Sequence, residues 1–204
     1  MKYLITERQF KLIKEENNEI RIIPYFMANE NWYDLQEFIN GISDPPPPYI
    51  LRGDVNLRGV DVVTLGSLVG VEGDLNLGYN KIIEDLGNLQ SVKGNLYLSD
   101  SNIESLGNLQ SVGGYLNLYD SDIISLGNLQ SVGGDLNLYN SNIESLGNLV
   151  SVGGDLDLRS TKVKSLGNLQ YVGGDLVSIN TPLSKTTTEE EIRSQVEVVG
   201  KIYL

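Results

Sequence analysis

Apolar and polar residues alternate along most of the chain in short runs that return at a nearly constant interval. In each run two apolar residues enclose one polar residue, as in Leu116-Asn117-Leu118, and the run recurs about every 20 residues. Alternation with a period of two is typical of a β-strand that buries one face. We therefore predict seven short strands, whose inward pairs are Val55/Leu57, Leu75/Leu77, Leu96/Leu98, Leu116/Leu118, Leu136/Leu138, Leu156/Leu158 and Leu176/Ser178.

The predicted strands belong to a longer repeat. Ser105–Ile124 reads SLGNLQSVGGYLNLYDSDII, and Ser125–Glu144 follows it directly as SLGNLQSVGGDLNLYNSNIE. Self-similarity at one short period is the mark of a solenoid, in which each repeat forms one coil and neighbouring coils complete one another's core. The sequence therefore predicts one elongated repeat domain over residues 50–184.

The remaining part of each coil predicts how the chain returns to the next strand. Leu106, Leu109 and Val112 fall at every third position, a spacing that favours a tight 3₁₀-like or irregular return instead of an α-helix, so each coil should be thin. Glycine pairs such as Gly113-Gly114 then open the next strand. We interpret these pairs as sharp backbone turns that side chains would block.

Two further columns of residues are predicted to point inward. One is apolar and follows the strands: Val62, Ile82, Ile103, Ile123, Ile143, Val163 and Leu183. The other is mostly polar and is expected to form a hydrogen-bonded ladder inside the solenoid: Val60, Asn80, Ser101, Ser121, Ser141, Thr161 and Thr181. One extra residue between Ile82 and Leu86 should bulge outward without disturbing the strands.

The repeat resembles a known family. Leu75-Asn76-Leu77-Gly78-Tyr79-Asn80-Lys81-Ile82 resembles the LxLxxNxL core of leucine-rich repeats, and the SLGNLxxVGGxLxL phrase is similar to the short coils of receptor L domains. Later coils depart from the family by placing Ser or Thr where it favours Asn. The resemblance implies a right-handed leucine-rich-repeat-like solenoid with one parallel β-sheet of about seven to eight short strands and short helical caps at both ends. It specifies a fold more than a function.

Residues 1–49 do not carry the repeat and are predicted to form a helical cap and a proline-rich spacer. Thr6 and Gln9 match a capping box, which predicts a short helix. Pro45–Pro48 favour a rigid extended spacer over a ligand for a proline-binding domain. A second helix is predicted over residues 32–39, with a face that covers the first coil: Trp32, Leu35, Phe38 and Ile39.

Residues 185–204 are predicted to close the other end. Thr188 and Glu191 form a second capping box, so a helix should run from Glu189 to about Gln195. Ile202-Tyr203-Leu204 reads as a last strand that pairs beside the seventh coil.

Composition excludes several classes of function. The net charge of −12 disfavours direct binding to nucleic acids, whose phosphates require Lys and Arg. The chain has no histidine, no cysteine and no glycine-rich phosphate loop, so neither an enzyme nor a cofactor is expected. The opening segment is charged at Glu7 and Arg8, and no apolar run approaches a membrane span, which favours a soluble cytoplasmic protein.

With the leucines inside, three columns of residues should face outward. The first precedes the strands: Asp54, Asp74, Asn95, Tyr115, Asp135, Asp155 and Asp175. The second lies between the leucines: Asn56, Asn76, Tyr97, Asn117, Asn137, Asp157 and Val177. The third follows the strands: Arg58, Gly78, Ser99, Tyr119, Tyr139, Arg159 and Ile179.

The first column stacks carboxylates at strand spacing, where like charges repel one another. Three interpretations stay open: a solvated face that also prevents aggregation, a surface for a basic protein partner, or a calcium site. The residues of that candidate calcium site are Asp135, Asp155, Asp157 and Asp175.

Tyr115 interrupts the acidic column, and Tyr97, Tyr119 and Tyr139 lie near it on the same face of three successive coils. Aromatic residues bordered by charge are typical of an interface hot spot. Cross-strand stacking for stability is the alternative interpretation of these rings. The residues predicted to bind a partner are Tyr97, Tyr115, Tyr119, Tyr139, Asp135, Asp155, Asp157, Asp175 and Arg159.

We hypothesise a non-enzymatic module that binds another protein through this face. The opening MKYLITERQFKLI resembles openings of uncharacterised phage proteins, which implies a partner in the host or in the virion. An acidic mimic of nucleic acid that inhibits a DNA-binding defence protein is the alternative. The two hypotheses differ in salt dependence, because a mimic should lose its partner steeply as salt rises. The oligomeric state is left open.

Overall fold

The computed structural model describes residues 21–24 and 32–204, and there the chain winds into stacked coils that build two parallel sheets. The predicted apolar–polar–apolar runs form one of them, which we call the front sheet: β3 (Val55–Asn56), β5 (Leu75–Asn76), β7 (Leu96–Tyr97), β9 (Leu116–Asn117), β11 (Leu136–Asn137), β13 (Leu156–Asp157), β15 (Leu176–Val177) and β17 (Ile202–Tyr203). The predicted strands and the last pairing, Leu176 with Ile202, are confirmed.

The prediction of a single sheet is wrong. A second sheet, which we call the back sheet, lies where a return without strands was expected. Its strands are β1 (Arg21–Pro24), β2 (Tyr49–Arg52), β4 (Leu68–Val71), β6 (Ser91–Val92), β8 (Ser111–Val112), β10 (Ser131–Val132), β12 (Ser151–Val152), β14 (Tyr171–Val172) and β16 (Glu197–Val198). Coil-to-coil hydrogen bonds create it: the Gln110 N–H donates to the Gln90 carbonyl at 2.8 Å, and the Gly113 N–H donates to the Val92 carbonyl at 2.8 Å.

The interior between the sheets is a continuous apolar core. The residues of one coil that fill this core are each at most 1% exposed: Val112, Leu116, Leu118, Ile123, Leu126 and Leu129. The inward assignment of the leucines is thus confirmed. It is wrong at Ile82, which is exposed, whereas Ile83 is fully buried. The extra residue therefore lies before Ile83, and the strands on either side keep their register, Leu75 with Leu96.

The polar column is buried as predicted. The Asn80 amide donates to the carbonyls of Val60 and Val62 in the preceding coil, and its Oδ1 accepts the N–H groups of Ile82 and Ile83. The later hydroxyls bond within their own coil instead. Each of Ser101, Ser121 and Thr161 donates to the carbonyl three residues earlier, so the ladder is local to each coil after Asn80.

Glycine has two different tasks in each coil. Gly107 and its equivalents at the Leu-Gly-Asn turn lie in the left-handed region, with a φ of 54° at Gly107. The paired glycines lie at the predicted backbone bends, although they do not have positive φ. They are needed for close approach between coils, because a Cβ added at Gly133 would lie 2.1 Å from the Gly113 carbonyl oxygen.

The N-terminal cap contains the predicted helix, α1 (Trp32–Asn40). Trp32, Leu35 and Ile39 are buried in the common core, and the Gln36 amide donates to the Tyr49 hydroxyl at 2.6 Å, so α1 covers the first coil as expected. Residues 45–48 connect α1 to β2 without helix or strand. The predicted Thr6–Gln9 cap and the Phe38 side chain lie outside the described residues.

The C-terminal cap contains a short helix that was not predicted, α2 (Pro182–Thr186), and the predicted one, α3 (Glu189–Gln195). Both bonds of the Thr188–Glu191 capping box are present. Arg193 on α3 donates to the carbonyls of Val198 and Gly200. These carbonyls correspond to those that accept bonds from the next coil elsewhere in the back sheet, so Arg193 terminates that sheet.

Candidate interaction surface

All nine residues predicted to bind a partner lie on the outward side of the front sheet. Their neighbours along each strand are buried leucines, as at Leu136 and Leu138, because successive side chains point to opposite faces. In-register pairing aligns equivalent residues of successive coils into the three predicted columns. The register at β17 also extends two columns by one residue each, Lys201 after Asp175 and Tyr203 after Val177.

The first column is a hydrogen-bonded ladder, which the sequence did not reveal. Each Asp or Asn side chain accepts the backbone N–H of the equivalent residue one coil later, for example Asp135 Oδ1 from the Asp155 N–H at 2.8 Å and Asp155 Oδ1 from the Asp175 N–H at 2.7 Å. Asn95 accepts the Tyr115 N–H in the same way at 2.7 Å. The acceptor oxygen is therefore the structural requirement, and the negative charge is additional.

This ladder explains the second glycine of a pair wherever the preceding coil has Asp or Asn in the first column. A Cβ added at Gly154 would lie 2.0 Å from Asp135 Oδ1, and one added at Gly174 would lie 2.0 Å from Asp155 Oδ1. Only glycine leaves room for the carboxylate of the preceding coil. The signal in the sequence was the coincidence of Gly and Asp or Asn at these adjacent positions in most coils.

Asn and Asp in the second column stabilise the ends of their strands. Asn117 Oδ1 accepts the Tyr119 N–H and Asn137 Oδ1 accepts the Tyr139 N–H, both at 3.0 Å. A side chain that bonds the backbone two residues later is an Asx turn, which Asn and Asp favour. The recurrence of Asn in this column is therefore a property of the fold.

The four tyrosines form two pairs across neighbouring coils. The Tyr97 and Tyr115 rings meet edge to face with centroids 6.1 Å apart, and the Tyr119 and Tyr139 rings are tilted with centroids 5.5 Å apart. Burial raises the pKa of the Tyr115 phenol, whose oxygen accepts a bond from the Asn137 amide. The stacking that was one interpretation of these rings is present, while Tyr119 remains exposed.

Arg159 joins the aromatic and acidic parts of the face. Its guanidinium lies 4.9 Å from the Tyr139 ring centroid and forms a two-pronged ion pair with Asp157, with an Nε to Oδ1 distance of 2.9 Å. The bond to Asp157 raises the pKa of Arg159. Asp157 is therefore held by a cation. Among residues 21–24 and 32–204, no three acidic side chains converge where a metal ion would lie.

A shallow open groove crosses the C-terminal half of the front sheet between Tyr115 and Tyr203. It collects five of the predicted residues, Tyr115, Asp135, Asp155, Asp157 and Arg159. It also includes Val177, Ile179 and Tyr203, which the sequence analysis did not propose as site residues. The signal for them was present, since Val177 and Ile179 replace the polar residues of their columns.

The back sheet has a different outer surface. Ser91, Ser111, Ser131 and Ser151 follow one another in register, and glycines such as Gly113 and Gly133 lie beside them. Its side chains are small and uncharged in the three middle coils, whereas Lys93 and Tyr171 lie at its two ends. The aromatic and charged variation of the repeat is therefore concentrated on the front sheet.

Comparison with known proteins gives no relative: no family model, curated protein or solved structure matches the chain significantly. Membership of the leucine-rich-repeat family and a phage origin therefore stay predictions, and the two-sheet coil differs from the one-sheet coil that the resemblance implied. Within the described part of the chain, no helix has the length and apolar character needed to cross a lipid bilayer. The chain is a parallel β-solenoid of two sheets.

Proposed function

We propose that the protein is a non-enzymatic interaction module that binds a protein partner through the outer face of the front sheet. The observation that carries the proposal is the contrast between the two faces. The middle coils of the back sheet repeat serine and glycine, whereas the front sheet presents paired tyrosines, Arg159 and exposed carboxylates. Tyrosine and arginine are the residue types most enriched at the energetic centres of protein interfaces.

The hydrogen bonds of the coil strengthen this proposal because they separate structural residues from variable ones. The ladder requires an Asp or Asn oxygen before each strand, and the Asx turn requires another after the first leucine. Neither requirement explains the rings of Tyr97, Tyr119 and Tyr139 or the cation of Arg159. Contacts between neighbouring coils use part of these side chains, and their exposed parts are available for recognition.

The alternative, an acidic mimic of nucleic acid, has less support. Asp135, Asp155 and Asp175 are consecutive carboxylates, but Tyr115 precedes them and Lys201 follows them in the same column. A run of three charges is short for a surface that imitates a phosphate backbone. The opening segment resembles those of phage proteins. If the protein comes from a phage, its partner would be a host factor or another virion protein.

Affinity capture from a lysate of the source organism tests the proposal. The wild type is compared with Tyr97→Ala/Tyr119→Ala, with Asp135→Asn/Asp155→Asn, and with Gln110→Ala/Gln130→Ala on the back side as a matched control. We expect a partner that the tyrosine variant loses and the glutamine variant retains. Retention by both front variants would favour a merely solvated face, and steep loss above about 0.1 M salt would favour the mimic.

A further inference from the structure

The groove on the front sheet has the length and shape for a short extended segment. It runs across the strands from Tyr115 on the coil of β9 to Tyr203 on that of β17, a distance of four coils or about 19 Å at roughly 4.8 Å per coil. An extended chain advances about 3.3 Å per residue, so about six residues fill this length. Aromatic rings bound both ends, and the groove is open along its side.

The groove has two chemically different parts. Toward Tyr115 it presents Asp135 and Asp155, which are exposed. Toward Tyr203 it presents Val177 and Ile179, and the side chains of Ile179 and Tyr203 are 39% and 40% exposed. The lining contains three carboxylates and one guanidinium, a net charge of −2.

The apolar part is specific to this end of the solenoid. Val177 occupies the second column, where Asn137 and Asp157 make Asx turns in the two preceding coils. Ile179 occupies the third column, where those coils place Tyr139 and Arg159. Val177 and Ile179 therefore lack the polar contacts of their equivalents and expose hydrocarbon to water. Exposed hydrocarbon favours burial by a partner.

We propose that the groove binds an extended segment of a partner protein in which a basic side chain lies three residues from an apolar one. The inference rests on the proposed function and specifies the partner's chemistry. Charge complementarity assigns the basic side chain to Asp135, and burial assigns the apolar one to Val177 and Ile179. Asp135 and Val177 lie two coils apart, about 9.6 Å along the groove, and three extended residues span about 10 Å.

Two labelled peptides of identical composition test the spacing. One carries lysine and leucine three residues apart in a Gly/Ser background, and the other carries them side by side. Fluorescence anisotropy should show at least fivefold tighter binding of the first. Its addition should shift the backbone resonances of Val177, Ile179 and Tyr203. Equal affinities, or shifts confined to the back sheet, would overturn the proposal.

Three variants of the full chain separate charge from fold. Asp135→Asn keeps the acceptor that the ladder needs, as Asn95 demonstrates, and should weaken peptide binding about three- to fivefold. Val177→Asn restores the residue usual in its column and should weaken it about tenfold. Asp54→Asn makes the same change outside the groove and should have no effect. Equal effects of Asp54→Asn and Asp135→Asn would contradict the assignment.

The outcomes also separate this inference from the proposed function. Capture of the partner could depend on Tyr97 and Tyr119 but not on Asp135 or Val177. That result would support the interaction module and contradict the proposal that the groove binds the partner. Binding of neutral oligosaccharides that persists at high salt and in Asp135→Asn would instead identify a carbohydrate site. It would contradict the proposal that the groove binds a peptide segment.

Discussion

The contact between Gly154 and the carboxylate of Asp135 predicts a strong coupling between two residues in neighbouring coils. A Cβ at position 154 would lie 2.0 Å from Asp135 Oδ1. That oxygen cannot move away freely because it accepts the Asp155 N–H at 2.8 Å. Gly154→Ala should therefore cost about 2–3 kcal/mol, the usual penalty for overpacking.

The companion variant removes the obstacle. Asp135→Ala loses one charge-assisted hydrogen bond on an exposed ladder and should cost about 1 kcal/mol. In the double variant the alanine at 154 no longer meets a carboxylate, and its nearest remaining neighbours are backbone atoms at 3.0 Å. The double variant should thus cost about 2 kcal/mol, less than the two single costs together, a coupling of about 1–2 kcal/mol.

Urea unfolding followed by circular dichroism measures all three free energies. Gly153→Ala is the matched control, because a Cβ at position 153 would lie 2.1 Å from the Gly133 carbonyl oxygen, a backbone atom. It should be at least as destabilising as Gly154→Ala, and Asp135→Ala should not relieve it. Additive effects of Gly154→Ala and Asp135→Ala would refute the reasoning.

Three further predictions concern the core, the cap and the pH dependence of stability. Ser121→Ala should cost about 1 kcal/mol in urea unfolding because its hydroxyl donates within the coil. Ser141→Ala should be nearly neutral, since that buried hydroxyl has no hydrogen-bond partner among the described residues. Equal losses of unfolding free energy in the two serine variants would contradict this difference in hydrogen bonding. Arg193→Met should uncover the two carbonyls at the edge of the back sheet and promote self-association in light scattering, and an unchanged mass would reject its capping role. Burial raises the pKa of Tyr49 to about 12 from 10.0, so its contribution to stability is complete below pH 10 and is lost as the pH rises through 12. Tyr49→Phe should reduce the loss of unfolding free energy between pH 10 and pH 12. An unchanged dependence on pH would show that other groups cause this loss.

The strands, the inward leucines and the polar column were predictable because their signals are local. A period of two, a period of about 20 and the Thr188–Glu191 capping box each lie within a short stretch of sequence. The helix Glu189–Gln195 has the predicted bounds for that reason. Ile82 was assigned wrongly because two adjacent isoleucines fit the pattern equally, and only the structure shows that Ile83 is the buried one.

The back sheet and the ladder were not predictable because their partners lie one coil apart. Ser111-Val112 is too short to show a strand pattern, and it becomes a strand only through pairing with its equivalents in the neighbouring coils. The acceptor role of Asp135 likewise depends on an N–H 20 residues later. The sequence placed the candidate residues on one face, but the separation of structural from variable ones required these contacts.

The central claim is that the 20-residue coil is the structural unit and that equivalent residues stack in register. Deletion of Ser125–Glu144 joins Ile124 to Ser145 without interrupting the repeat, and duplication of the same segment adds one unit. Small-angle scattering of the two variants should give cooperative folded particles whose maximum dimensions differ by about 10 Å, two coils at roughly 4.8 Å each. Unfolding or aggregation of both variants, or equal lengths, would contradict the account.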